Sequence, residues 1–471
     1  MAQQSLRIEL ERDRTAIVQG TENPAVSVLI SLHPASAQPP PRPPATVVFL
    51  LDCSGTVRRF AFRGEEEKRW IELARERSEL REVALDRRKG YEFTGKTLAE
   101  ARQSVACPLS VAATALKRTT AGLRESDVCC LVGFASRAEM LYDGRRRLLR
   151  QSLDEVLTEI EQNPSAPNLG DGTKMREAAR LAAEVLRADP TKKRLRRLVI
   201  LTDGIVEDQS ESLQELERIR SEGIAITAIG VGQEFDEEFL SRIADWTGGA
   251  YYYAPQADDL EAKLAEDFGV FSSVAARELK LSARGVGGAV VNSFTQIAPQ
   301  MRMFEEIRLR DDWFEVEVGD ISGSAGAGLI GEFALPWLSE GQHTVGEIQL
   351  DWVTPEGGEA QRSLQRVVID CLPARSAAPA VDEKVEKALL RLQVYRTERA
   401  AQWAQEFGRA GLSTARLREA SQLLSKLGEA ELAERFERQA TDVESERVDS
   451  DQTKSLKDWV RRLGRRPETM E

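Results

Sequence analysis

Histidine is nearly absent from this 471-residue chain, which has two, His33 and His343. Neither lies near a conspicuous nucleophile in the sequence, so histidine-based acid–base or nucleophilic catalysis has little to draw on. Cysteine is scarce as well: there are five, an odd number, with no C-x-x-C pair. That excludes a disulfide frame and a cysteine zinc site, and fits buried thiols in a reducing compartment. No stretch approaches the roughly 18 uncharged apolar residues that span a bilayer. The charged, alternating start "MAQQSLRIELERDR" lacks the apolar core of a secretory signal. Basic residues are in deficit, with 65 Lys and Arg against 77 Asp and Glu and a formal net charge of −12. A nucleic acid or an anionic membrane is therefore not expected as a generic partner. Internal repeats are also missing. A cytoplasmic location is expected.

What is present describes a folded, well-solvated protein: 41% hydrophobic and 30% charged residues. The length predicts two or three domains. Residues 1–44 carry two alternating runs, "SLRIELER" and "AVSVLISLH", and then the proline-rich "PASAQPPPRPPA". Two strands cannot bury a core alone, so they are expected to join a sheet from elsewhere, with the prolines as an extended linker. Over 45–270, near-continuous apolar runs ("TVVFLLD", "DVCCLVGFA", "RRLVILTD", "GIAITAIGVG", "GAYYYA") alternate with segments of helical periodicity. This pattern predicts an α/β fold, a doubly wound, mainly parallel Rossmann-like sheet between helices. A charged insert over 57–104 interrupts it, with helical character in "EEEKRWIELARERSELREVALDRR". Over 271–372 alternating strands separated by glycine-rich turns predict a flanking antiparallel β-sandwich, completed by the N-terminal strands. His343 is expected in a hairpin turn. Over 380–442 amphipathic helices broken at Gly408 and Gly411 form a C-terminal helical region, and 443–471 reads as a charged tail, disordered in part.

The chemistry collects at three strand or helix ends. "VVFLLDCSGT" runs five apolar residues into Asp52, Ser54 and Thr56. In a parallel sheet ligands bind outside the carboxyl ends of the strands, where these side chains lie beyond a turn at Gly55. A carboxylate and two hydroxyls are hard oxygen donors suited to Mg2+ or Mn2+ in an octahedral shell, but they are too few to hold the ion alone. "NLGDGT" adds Thr173 after two glycines at a helix start, and "RLVILTDG" ends a second buried strand on Asp203. Each signal has an ordinary explanation: a helix cap for Thr173, a turn former for Asp203. In this order, all at one sheet edge, they read as a shared metal site.

With these residues the sequence resembles the von Willebrand factor type A (VWA) domain, whose metal-ion-dependent adhesion site (MIDAS) has the pattern Asp-x-Ser-x-Ser, then Thr, then Asp. Here "DCSGT" carries Thr56 in place of the last serine and keeps the hydroxyl. The resemblance implies that Ser54 and Thr56 bind the cation directly and Thr173 directly or through water. It assigns Asp52 and Asp203 to waters and supporting hydrogen bonds. It further implies a non-enzymatic, divalent-cation-dependent interaction module in which an acidic side chain of a protein partner fills the open coordination position. An AAA+ ATPase or a multi-protein assembly is the kind of partner the resemblance suggests. Two alternatives stand beside it. A haloacid-dehalogenase-like, Mg-dependent phosphotransferase would use Asp52 as nucleophile, but it needs a second acid where Ser54 stands. A metal-free structural scaffold would leave the five oxygen donors as coincidence. "GDGTKM" lacks the Gly-x-x-x-x-Gly-Lys-Ser/Thr phosphate loop and follows no buried strand.

Overall fold

The computed structural model describes residues 5–463 except 36–41, 59–63, 86–87, 98–99, 101–106, 147–150, 189–192, 233–234, 256–258, 305–306, 325, 357–359 and 446–449. Its centre is a six-stranded sheet. Across it run Tyr251–Ala254, Ala225–Val231, Leu195–Thr202, Ala45–Asp52, Val128–Phe134 and Ala138–Asp143. The first five are parallel, and the last is an antiparallel edge. Every residue of Ala45–Asp52 is buried, because both faces are covered. Val47, Phe49 and Leu51 face a core formed with helices Pro108–Thr120, Leu153–Gln162 and Asp259–Ser272. Val48 and Leu50 face the opposite core, with helices Arg176–Arg187, Gln209–Arg220 and Glu237–Thr247. The alternation follows from the two-residue period of a strand. Arg42, at the end of the proline-rich linker, pairs through both guanidinium nitrogens with Asp127 at 2.9 and 2.6 Å. Asp127 also accepts the Ala45 N–H at 2.7 Å, which fixes where the central strand begins. The linker residues 36–41 lie outside the described part.

Two antiparallel sheets form the sandwich. One holds Leu6–Arg12, Ala25–Pro34, Ala327–Ala334, Val290–Ala298 and Arg302–Met303. The other holds Arg308–Arg310, Trp313–Ser322, Val274–Gly285, Gly341–Val353, Ala360–Leu372 and Ala16–Val18. The N-terminal segment thus contributes to both sheets, and Ala16–Val18 pairs with Ala360–Leu372 in parallel. Four helices, Glu383–Glu406, Ala410–Lys426, Ala430–Glu444 and Ser450–Arg461, cover the outer face of the first sheet, where Leu29, Ile297 and Ile330 join their core. None of the helices among the described residues is long and apolar enough to cross a membrane.

The structure differs from the sequence expectations in four places. The insert's helix stops at Glu76, and the rest of its expected helical run is a hairpin, Leu80–Leu85 against Arg88–Phe93. Glu79, just before the hairpin, joins its two ends by accepting the N–H groups of Lys96 and Thr97, just after it, at 2.9 and 2.7 Å. His343 belongs to strand Gly341–Val353 and not to a turn. The helical breaks fall at Gly408 and Gly428, both with left-handed backbone (φ 67° and 79°), whereas Gly411 lies in the first turn of a helix. A left-handed residue ends a helix at low strain only when it lacks a Cβ. Finally, the charged tail contains helix Ser450–Arg461, which packs Leu456 and Val460 inward.

That last helix ties three parts of the chain together. The Arg461 carbonyl accepts the Met301 N–H of the sandwich at 2.6 Å, and its guanidinium forms a two-pronged pair with Asp245 of the α/β unit. Lys457 meets Glu237 at 3.1 Å, Lys263 meets Asp458 at 3.4 Å, and Lys454 donates to the Phe235 carbonyl at 3.1 Å. These charges are largely shielded from water, so removing one partner leaves the other unpaired in a poor solvent. Arg461→Ala is expected to destabilise the protein by about 3–5 kcal/mol in denaturant titrations. A loss below about 1 kcal/mol, the range of exposed pairs, would place this junction in solvent.

The neighbouring Glu398 is buried, and burial pushes its carboxyl up to about 7 against the lowering influence of Lys457. A folded value above the ordinary 4.5 adds stability that is complete below the unfolded value and lost as pH rises through the folded one. The melting temperature should therefore fall between pH 4.5 and 7 for this reason, and Glu398→Gln should flatten that part of the curve. An unchanged slope in the variant would assign the pH dependence to other groups.

Candidate functional site

Asp52 ends the central strand and is 1% exposed. One carboxylate oxygen accepts the Ser54 N–H at 2.8 Å, and the other accepts the Thr202 hydroxyl from the adjacent strand in a short hydrogen bond. Burial raises the Asp52 carboxyl above its ordinary range, opposed by those hydrogen bonds and by the charge of Arg58. Both oxygens are thus occupied by protein donors. Thr202 in turn accepts the Gly204 N–H at 3.2 Å and so shapes the turn after its own strand.

Beyond the strand end the hydroxyls converge. Ser54 Oγ lies 3.0 Å from Thr56 Oγ1, and Thr56 Oγ1 donates to Asp203 Oδ1 at 2.8 Å. Thr173 arrives from the glycine loop. A Cβ added at Gly204 would lie 3.1 Å from Thr173 Oγ1 and 3.8 Å from Asp52 Oδ2, so both oxygens rest against the same bare backbone. The loop reaches this position through Gly170 and Gly172. Gly170 has φ 93°, and a Cβ there would lie 2.6 Å from the Ser136 side chain. Gly172 donates its N–H to Ser136 Oγ at 2.9 Å.

The cap of helix Arg176–Arg187 bears directly on Thr173. The Met175 and Arg176 N–H groups donate to Asp208, at 2.8 and 3.1 Å. A carboxylate beyond the next strand does the work that an N-cap hydroxyl usually does, which removes capping as the explanation for Thr173. The Thr173 N–H itself donates to Glu207 at 2.9 Å. All five sequence-selected residues, Asp52, Ser54, Thr56, Thr173 and Asp203, therefore meet at the carboxyl edge of the sheet.

Thr202, Glu207, Asp208 and Arg58 were not singled out from sequence. Thr202 adjoins Asp203 in "LTDG" and Arg58 follows "DCSGT" closely, but their partners come from other elements. Cys53, between the motif residues, is fully buried, and burial pushes its thiol well up, so it packs as a small neutral group.

The donor set can be tested against a divalent cation. Among the described residues no group of three or more His, Cys, Asp or Glu is placed to hold a metal. The donors here are three hydroxyls and two carboxylates, all hard oxygens. Two ionised carboxylates would balance a divalent charge, while neutral hydroxyls bind weakly and leave room for waters and an external ligand. The set fits Mg2+ or Mn2+ held with open positions.

Comparison with known proteins places this arrangement in context. The model of the von Willebrand factor type A domain matches residues 110–266, and that of the Sll0103-like C-terminal alpha-helical domain matches 383–466. The first match begins after the insert, so "DCSGT" lies outside it. A relative, the uncharacterized protein sll0103 of Synechocystis sp., is 21% identical over 298 residues, covering 62% of this chain and 69% of the relative. Of the solved structures, a von Willebrand factor type A protein from Catenulispora acidiphila has a TM-score of 0.70 at 14% identity, covering 98% of both chains. The ArnB paralog VWA2 from Sulfolobus acidocaldarius has a TM-score of 0.55 at 14% identity, covering 97% of this chain and 98% of that one. At such identities the likeness is one of fold, and it extends over the sandwich and helices as well as the α/β unit.

Thr202→Val keeps the shape of the strand end but leaves a buried Asp52 oxygen without its donor. It should destabilise the fold by about 1–3 kcal/mol, measured by chemical unfolding. A neutral effect would show that water or another donor serves Asp52 as well.

Proposed function

We propose, for a chain that carries a von Willebrand factor type A domain, that the cluster of Asp52, Ser54, Thr56, Thr173 and Asp203 is a MIDAS-type site for Mg2+ or Mn2+. Domains of this family are generally interaction modules. In this reading the cation presents an open position to an acidic side chain of a protein partner, and no covalent chemistry follows. Ser54 and Thr56 would supply hydroxyl ligands, and Thr173 would contribute directly or through water. Asp52 and Asp203 would orient them and the waters, consistent with the protein donors that already engage Asp52. The observation that carries the reading is the hydroxyl arrangement: Thr56 bridges Ser54 and Asp203, while Asp208 caps the helix and frees Thr173 of that duty.

The phosphotransferase reading is less well supported. A nucleophilic carboxylate must present an oxygen to a phosphorus atom, whereas Asp52 is buried and both its oxygens accept hydrogen bonds. Ser54 also stands where a second acid would be needed. A cytoplasmic location is consistent with five unpaired, buried cysteines. A partner of the AAA+ class rests on analogy with the family alone.

The decisive experiment is calorimetric titration of Mg2+ and Mn2+ into chelator-stripped protein, beside the Ser54→Ala/Thr56→Ala double variant and an assay on an aryl phosphate. Saturable binding should weaken by at least about tenfold in the variant, with no turnover by either protein. Turnover that disappears in Asp52→Ala would replace this reading with a covalent aspartate.

A further inference from the structure

The segment that leaves the first motif loop carries a cation aimed back at the site. Arg58, with a side chain 17% exposed, touches both loops that bring hydroxyls to the cluster. Its Nε donates to the Ser54 carbonyl at 3.2 Å. Its Nη2 donates to the Gly170 carbonyl at 2.7 Å and to Asp171 Oδ1 at 2.5 Å. A backbone hydrogen bond runs alongside, from the Gly55 N–H to the Asp171 carbonyl at 3.0 Å. Ser54 and Thr56 belong to one of these loops and Thr173 to the other.

The planar fork of a guanidinium can address two carbonyls and a carboxylate at once, which a lysine ammonium on its flexible stem does less well. The Asp171 carboxylate is 81% exposed, so this arm of the clasp contributes little by itself. The carbonyl contacts, which sit in a less exposed setting, carry the geometry. Arg58 also places a positive charge near a site meant for a cation. Removal of a mere like charge would tighten cation binding, and removal of a positioning group would weaken it. The two roles predict opposite signs.

We propose that Arg58 is a positioning residue of the cation site: it clasps the Ser54–Thr56 loop to the Gly170–Thr173 loop so that their hydroxyls face one cation. This rests on the cation reading above and deepens it, because it makes site geometry depend on a residue at the start of the insert.

The test uses the full chain and two readouts, Mn2+ affinity by calorimetry and amide hydrogen exchange at Gly55 and Gly172, for Arg58→Ala and Arg58→Lys. Arg58→Ala should weaken Mn2+ binding about tenfold and speed exchange at both amides, with an unchanged melting temperature. Arg58→Lys should fail to restore affinity, because it returns the charge without the fork. Tighter Mn2+ binding in Arg58→Ala, or full rescue by lysine, would show that Arg58 acts through charge and overturn the inference. Unchanged exchange would remove the clasp itself. If the unmodified chain binds neither Mn2+ nor Mg2+, the cation reading fails and takes the positioning role with it, whereas faster exchange in the variant would still establish the clasp as structural.

Discussion

A carboxylate at the end of a wholly buried strand is the constraint on which the site depends. Asp52 can sit there only because two donors meet it, the Ser54 amide behind it and the Thr202 hydroxyl beside it. An unmet charge at that depth would neutralise or force the strand end open. Satisfying Asp52 fixes the turn at Ser54, and through Thr202 it also fixes the turn at Gly204. Two loops from separate strands are thereby locked before any ligand is considered. The glycine loop is then set against them by Ser136, Glu207 and Arg58.

The same logic, polar groups made tolerable by partners from distant sequence, governs how the three parts of the chain meet. The α/β unit buries a core on each face of its sheet, the sandwich buries one between its sheets, and the four C-terminal helices complete a fourth against the sandwich. Between the α/β unit and the last helix the contacts become ionic: Asp245 with Arg461, Glu237 with Lys457, Lys263 with Asp458. Buried ion pairs add less stability than apolar packing of the same volume, but each accepts only its own partner geometry. They serve better to fix how the parts sit than to hold them tightly. The unit that presents the site is accordingly held in a defined pose on the rest of the chain.

The fold class was legible because its signal is periodic and local. Runs such as "VVFLLD" and "RRLVILTD" are apolar at every position, which only a strand covered on both faces requires. The antiparallel edge strand Ala138–Asp143, half-exposed and mixed in composition, gave no comparable signal. The insert misled because "WIELARERSELREVAL" has helical spacing throughout. The hairpin after Glu79 depends instead on hydrogen bonds that Glu79 makes to Lys96 and Thr97, on the far side of the hairpin. The tail was misread for a related reason. Its charges look like those of a solvated segment until Asp245, Glu237 and Lys263 are known to face them.

By itself the sequence determined which residues could form a cation site, since the types at strand and helix ends are fixed by composition and position. Asp52, Ser54, Thr56, Thr173 and Asp203 could all be named from their places at element ends, and the structure gathers them at one edge. It could not determine what each would be doing there. Whether Thr173 caps a helix was decided by Asp208, which lies beyond the next strand. Whether Asp52 was free to react was decided by Thr202, on a neighbouring strand 150 residues away. The roles of polar groups follow from which partners satisfy them, and in a parallel sheet those partners are brought by crossover connections that no local pattern records.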